Sequence, residues 1–311
     1  MIEVDGLTKE FVVREGRFRR RRRVVEAVRG ISFRVERGEL LGYLGPNGAG
    51  KSTTVKMLTG ILVPTAGYVR VAGLEPSRQR IQLARRIGAM FGQRVQLWWD
   101  LPLVESFELL RHIYRVPADR YRASLARFRE VLDLDPFLQT PVRQLSLGQR
   151  IRGELTAAML HEPELLFLDE PTIGLDVVAR QRVREFLAEL NRERGVTVLL
   201  TTHDLGDIER LCSRLLVIDH GVLIWDGGLA DLKARYGGER TLIVDLEEPA
   251  PPLLVEGARV ERVEGPRQWL RFRGSAAELI ARVAAQERLI DLQVAEPDIE
   301  EIVRRIYSSG R

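Results

Sequence analysis

At 311 residues the chain has room for one large domain and one small one, and 45% apolar residues suffice for a sizeable core. A single cysteine, Cys212, excludes a disulfide framework or a cysteine-rich zinc site, and no apolar run nears the eighteen or so residues of a membrane span. The formal net charge is only +4, and arginine carries nearly all of the positive side: the lysines are Lys9, Lys51, Lys56 and Lys233.

The first residues lack a basic stretch followed by an apolar core, so they do not read as a secretion signal and the chain is expected in the cytoplasm. Residues 1–13 alternate apolar and polar and are predicted as edge strands. The run Arg14-Glu15-Gly16-Arg17-Phe18-Arg19-Arg20-Arg21-Arg22-Arg23 repels itself and reads as a solvated loop. Contact with anionic lipid headgroups or with nucleic acid are the alternatives, the latter weaker because no aromatic-interleaved basic surface accompanies it. Strand-like alternation resumes over 24–36.

Leu40 to Leu44 is an apolar run short enough for a buried strand, and Thr54 to Leu62 has apolar residues at helical spacing. Between them stands Gly45-Pro46-Asn47-Gly48-Ala49-Gly50-Lys51-Ser52-Thr53. Strand, glycine-rich turn and helix form the context of a phosphate-binding loop. Glycines let successive backbone N–H groups turn inward around an anion, and the helix beginning near Gly50 aims its positive end at the same point. Lys51 is the candidate for the β- and γ-phosphates, and the Ser52 hydroxyl for Mg²⁺.

A turn at Pro64-Thr65-Ala66-Gly67 leads to a strand at 68–71, a basic helix over 77–86 and a short buried strand at 87–91 that ends at Gly92-Gln93. From 101 to about 135 the pattern is helical, with Pro117 as breaker and Asp119 as cap between two helices. Leu145-Ser146-Leu147-Gly148-Gln149 precedes another helix, which Pro163 stops. Leu165-Leu166-Phe167-Leu168 is a buried strand ending in Asp169-Glu170. A helix over about 178–194, a strand ending at Thr201-Thr202-His203, a helix around 205–211 and a hairpin through His220-Gly221 follow. Such alternation predicts an α/β fold with a mainly parallel sheet. Composition shifts near Gly237-Gly238, and the remainder reads as a small α+β domain without a chemical motif.

Two acids at a strand end are by themselves an ordinary solvated turn. Behind a phosphate loop, however, Asp169 can hold Mg²⁺ through water and Glu170 can act as general base. The order of phosphate loop, Leu-Ser-Leu-Gly-Gln, strand-end Asp-Glu-Pro, Gly-Leu-Asp and strand-end His closely resembles the ATP-binding subunit of ABC transporters over about 1–236. The resemblance implies a phosphate-loop ATPase core with an antiparallel N-terminal β subdomain, a helical subdomain over about 94–160 and an accessory domain over 237–311.

It also implies roles. Gly45 to Thr53 match the Walker A loop, and Asp169 with Glu170 match Walker B. Gln93 matches the Q-loop glutamine, a Mg²⁺ or water ligand that senses the membrane partner. Ser146, Gly148 and Gln149 match the signature motif that faces the other subunit's ATP. Asp176 matches the aspartate that crosses the dimer interface, and His203 the switch histidine at the γ-phosphate. Phe11 best fits the adenine-stacking position, with Phe18 as the other candidate. Leu147 stands where glycine is commonest and Ile173 where serine or threonine is usual.

The stretch from Phe91 to Pro102, with Trp98 and Trp99, resembles one branch of ABC-2-type exporters. Either tryptophan could anchor the membrane subunit or lie in the core. The expected protein is thus an ATP- and Mg²⁺-dependent homodimer at the cytoplasmic face of the inner membrane, powering separate permease subunits, with no nucleic-acid partner. A soluble ABC ATPase acting on ribosomes or DNA is the rival. It fits less well, because one motif set and some fifty ordinary residues between Gln93 and Ser146 leave no room for a duplicated cassette or a long coiled coil.

Overall fold

Short apolar runs closed by polar turns form the central strands of the computed structural model, which describes residues 1–15, 21–92, 95–202, 204–236, 238–295 and 299–309. Gln93 and His203, and with them Phe18, lie outside the described residues. The chain divides into two compact units, Met1–Gly227 and Gly228–Arg311.

In the first unit, β1 (Ile2–Glu15), β2 (Arg21–Val35), β3 (Leu40–Leu44), β4 (Ala66–Val71), β5 (Ile87–Phe91), β6 (Leu165–Asp169), β7 (Thr197–Thr201), β8 (Arg214–Asp219) and β9 (Val222–Gly228) make two sheets. The larger has the order β5-β6-β7-β3-β8-β9. The pairs β5/β6, β6/β7, β7/β3 and β3/β8 are parallel. Every residue of β3 and β7 is buried. Continuous apolar strands of this kind belong to a sheet covered on both faces. Because its strands run parallel, Leu44, Asp169 and Thr201 end along one edge, with Asp169 in register with Thr201. That edge is where open α/β sheets hold ligands.

The smaller sheet is antiparallel, in the order β2-β1-β4. Here β1 is the middle strand and not an edge: β2 flanks it along its whole length and β4 from Ile2 to Thr8. Strand pairing also reaches further into the arginine run than a solvated loop would, since β1 continues to Glu15 and β2 begins at Arg21. Helix α1 (Lys51–Leu58) follows the phosphate loop and stops four residues early, where Gly60 takes a positive φ of 74°.

After the short α2 (Arg80–Ala84) come α3 (Leu103–Tyr114), α4 (Ala118–Val131), α5 (Leu147–Met159), α6 (Val177–Arg194) and α7 (Leu205–Leu211). Pro117, not Asp119, occupies the N-cap of α4. Its fixed φ of −55° presets the helix entry, and Asp119 in the first turn complements the helix dipole instead. Gly88 of β5 is where α5 crosses the sheet, since a Cβ there would meet the Ala158 carbonyl oxygen at 2.1 Å. No helix of the described residues is long and apolar enough to cross a membrane.

The second unit opens with α8 (Leu229–Tyr236), ahead of the composition shift near Gly237-Gly238. Strands β10 (Arg240–Leu246), β11 (Ala258–Glu264), β12 (Arg267–Phe272) and β13 (Leu289–Ala295) form an antiparallel sheet in the order β11-β12-β10-β13. Helix α9 (Ala276–Gln286) supplies Leu279 and Val283 to its core, and α10 (Ile299–Ser309) closes the unit.

Candidate active site

The phosphate loop leaves the buried end of β3 and enters α1 at Gly50, whose φ of 109° suits only glycine. At Gly45 a Cβ would lie 2.4 Å from the Ile218 carbonyl oxygen, so the loop is pressed against β8. Tyr43, fully buried on β3, donates its hydroxyl to Thr54 at 3.2 Å, and Thr54 donates to the Gly50 carbonyl at 3.0 Å. Strand and helix are thereby tied across the loop. The Lys51 ammonium donates to the carbonyls of Gly45 and Pro46, the latter at 3.1 Å. Burial lowers its pKa, while the charges of Asp169 and Glu170 pull it back up.

Asp169 ends β6, and the Thr201 hydroxyl at the end of β7 donates to its Oδ1. Glu170 adopts a positive φ of 56°, a left-handed conformation that is strained for glutamate. Its N–H donates to the Thr201 carbonyl at 2.9 Å, and the Thr202 hydroxyl donates to its Oε2 at 3.3 Å. The register of β6 with β7 thus presents two adjacent hydroxyls to two adjacent carboxylates. Nothing in the local sequence announces this, although Thr201-Thr202 at a strand end is the trace it leaves.

Pro46, Asn47, Gly48, Gly50, Lys51, Ser52, Thr53, Asp169 and Glu170 line one cleft of about 780 Å³. Ala49 is buried beneath it. The Ser52 hydroxyl and the Asp169 carboxylate are hard oxygen donors in that cleft, and among the described residues no group of three His, Cys, Asp or Glu could hold a metal ion by itself. Two protein oxygens suit Mg²⁺, which keeps water and phosphate oxygens in its shell.

Ser146 caps α5: the Gln149 N–H donates to Ser146 Oγ at 3.2 Å, and the Gln149 side chain accepts from the Ser146 N–H at 2.9 Å. Ser146, Gly148 and Gln149 do not line their own chain's cleft, although Leu147 does. Leu147 packs over Gly174, where a Cβ would fall 2.4 Å from Leu147 Cδ2. Asp176 caps α6, accepting the Ala179 N–H at 2.7 Å. Phe11 stands outside the cleft with Lys9 over its ring at 5.2 Å.

Two features escaped the sequence reading. Glu154 of α5 is buried in the cleft wall. Asp207, fully buried on α7, accepts from Thr172 and from Arg184 of α6. Trp98 and Trp99 are exposed, which removes the core reading for both.

A phosphate loop, a strand-end carboxylate pair and a shared cleft at the carboxyl edge of a parallel sheet define a nucleotide-binding phosphate-loop ATPase. Comparison with known proteins makes this specific. The family model described as ABC transporter matches residues 28–173. The linearmycin resistance ATP-binding protein LnrL of Bacillus subtilis (strain 168) is 32% identical over 286 residues, 88% of this chain and 91% of that protein. The daunorubicin resistance ATP-binding protein DrrA3 of Streptomyces coeruleorubidus is 40% identical over 243 residues, covering 78% and 73%. Among solved structures, the dimeric post-hydrolysis state of the ATP-binding cassette MJ0796 bound to ADP and Pi is similar with a TM-score of 0.65 and 25% identity, over 74% of this chain and 99% of that one. The chain belongs to the ATP-binding proteins of ABC transporters, and it is an ATPase. Subunits of this family pair with one another and work with transmembrane permeases.

Proposed function

We propose that this chain is the ATP-hydrolysing subunit of an ABC-2-type exporter, working as a homodimer against separate permease subunits at the cytoplasmic membrane face. The observation that carries the reading is the split arrangement of its motifs. The phosphate loop, Asp169 and Glu170 share one cleft; Leu147, Arg150 and Ile151 of α5 reach its wall, while Ser146, Gly148 and Gln149, the residues of the capped turn itself, do not line it. A second copy that brings this turn, and the positive end of α5, to the nucleotide completes the site.

In this reading the loop N–H groups and Lys51 hold the β- and γ-phosphates. Half-buried in the cleft, Lys51 donates hydrogen bonds to loop carbonyls that an incoming phosphate replaces. Ser52 and Asp169, with Gln93, would hold Mg²⁺, which neutralises charge on the phosphates when bound. Glu170 takes the proton of the attacking water, held in place by Thr202. His203 contacts the γ-phosphate, Asp176 reaches the partner copy and Phe11 stacks on adenine.

The permease meets a groove of about 530 Å³ lined by Ile61, Ile81, Phe91, Val95, Ile113 and Tyr114. Ile81 and Ile113 are 73% and 58% exposed there, more than solvent-facing isoleucines need be. Exposed Trp98 and Trp99 offer further anchors beside it in sequence.

The decisive experiment is Glu170→Gln with ATP. The variant should retain nucleotide, lose turnover by about a hundredfold or more, and elute as a dimer. A variant that still hydrolyses ATP at the parental rate removes Glu170 as the base, and one that stays monomeric with ATP bound removes the split site. Gentle solubilisation of membranes from the native host should co-purify multi-span permeases. Recovery only with ribosomes or nucleic acid would favour the soluble rival.

A further inference from the structure

The arginines of residues 14–23 have no assigned role in the ATPase reading, yet the fold gives the strands that carry them a definite setting. Strand β4 accompanies β1 only as far as Thr8. Beyond that point Phe11 to Glu15 pairs with Arg21 to Val25 alone, so among the described residues the hairpin continues as a two-stranded arm. A lone ribbon of this kind is marginal in water.

Its composition adds two further costs. Val12 and Val24 face each other across the arm and are 62% and 54% exposed, with Val13 and Val25 also exposed. Arg22 and Arg23 follow one another on β2, both exposed, so like charge crowds the arm as well. Residues 11–25 hold seven arginines and one acid, a net charge of +6 that exceeds the +4 of the whole chain. A general preference for arginine would spread this charge along the sequence. Here the positive excess is confined to one stretch of sequence.

An anionic bilayer surface turns each of these costs into a gain. It neutralises clustered guanidiniums, and its headgroup layer accepts small apolar side chains between them. We propose that the β1–β2 arm is a membrane-surface element, seating Arg22 and Arg23 on anionic phospholipid headgroups with Val12 and Val24 at the acyl boundary. The proposal goes beyond the ATPase reading and does not depend on it, since Val12, Val24, Arg22 and Arg23 have no role in that reading. Exposed valines favour lipid over nucleic acid, whose backbone gives them nothing to bury against.

Flotation of the purified full-length chain, without ATP or other subunits, tests it. With vesicles of phosphatidylcholine containing about a third phosphatidylglycerol, the chain should float at low salt at least about tenfold more than with phosphatidylcholine alone. Arg22→Glu/Arg23→Glu should remove most of that binding while ATP turnover in solution stays at the parental rate, which reports an intact fold. Val12→Ser/Val24→Ser should weaken binding several-fold, most visibly at high salt where charge is screened. Equal flotation on both vesicle types, or binding indifferent to Arg22 and Arg23, overturns the proposal. So does tighter arginine-dependent binding to transfer RNA than to the anionic vesicles.

Discussion

The carboxyl group of Glu154, buried on α5, accepts the backbone N–H of Gln96 at 3.0 Å and lies 3.4 Å from that of Leu97. Helix α5 and the segment after β5 are thereby joined by a single acidic side chain. Desolvation pushes its pKa from 4.5 up to about 7, against the two N–H groups, the Gln96 side chain and the charge of Arg150. A folded-state pKa above the unfolded one means that the native state holds the proton more tightly. The associated stability is complete below about pH 4.5 and is lost as pH rises through about 7.

Glu154→Gln keeps the oxygen acceptor and never ionises. Its unfolding free energy should match the parent's below pH 4.5 and exceed it above pH 7 by at most about 3 kcal/mol. Thermal melts from pH 4 to 9 read this directly. Parallel curves for the two proteins would show that Glu154 does not titrate with folding.

At Glu170 backbone strain coincides with the proposed general base. A non-glycine residue in the left-handed region costs about 1 kcal/mol, and here the Thr201 carbonyl and the Thr202 hydroxyl hold it in place. Glu170→Gly and Glu170→Ala should both lose about a hundredfold or more in turnover. They should differ in stability, the glycine variant unfolding about 1 kcal/mol later because only alanine retains the clash. Equal stabilities would mean that the backbone relaxes once the carboxylate is gone.

Much of this architecture was legible because two periodicities and a few glycines carry it. Runs such as Leu165 to Leu168 could only be buried strands, and Gly45 to Thr53 names its own geometry. What the sequence conceals is pairing at a distance. Residues 1–13 look like an edge, because β4, the strand that makes β1 central, arrives some sixty residues later. Glu154 looks like one more polar helical position until α5 packs on the segment after Phe91. Pro117 outcompetes Asp119 as a cap because a fixed φ needs no hydrogen bond. Leu147, unusual for its motif, makes sense only beside Gly174, twenty-seven residues away.

Asp207 is the strongest case of such concealed pairing, and it bears on stability most directly. Its side chain is fully buried, with Arg184 at only 12% exposure bonding to its Oδ1 and Thr172, two residues after Glu170, donating to its Oδ2. Arg180 holds the neighbouring Asp204 at 2.8 Å, so α6, α7 and the turn after Glu170 share one charged network. Removing one partner of a buried ion pair leaves the other desolvated and uncompensated. Asp207→Ala should therefore cost about 3–5 kcal/mol in urea unfolding, far more than a surface pair would. Arg184→Met/Asp207→Ala should recover a large part of that loss, because methionine fills the space of the guanidinium stem without needing a counter-charge. If the double variant is as unstable as the sum of the single ones, the two side chains act independently and the network does not couple α6 to α7.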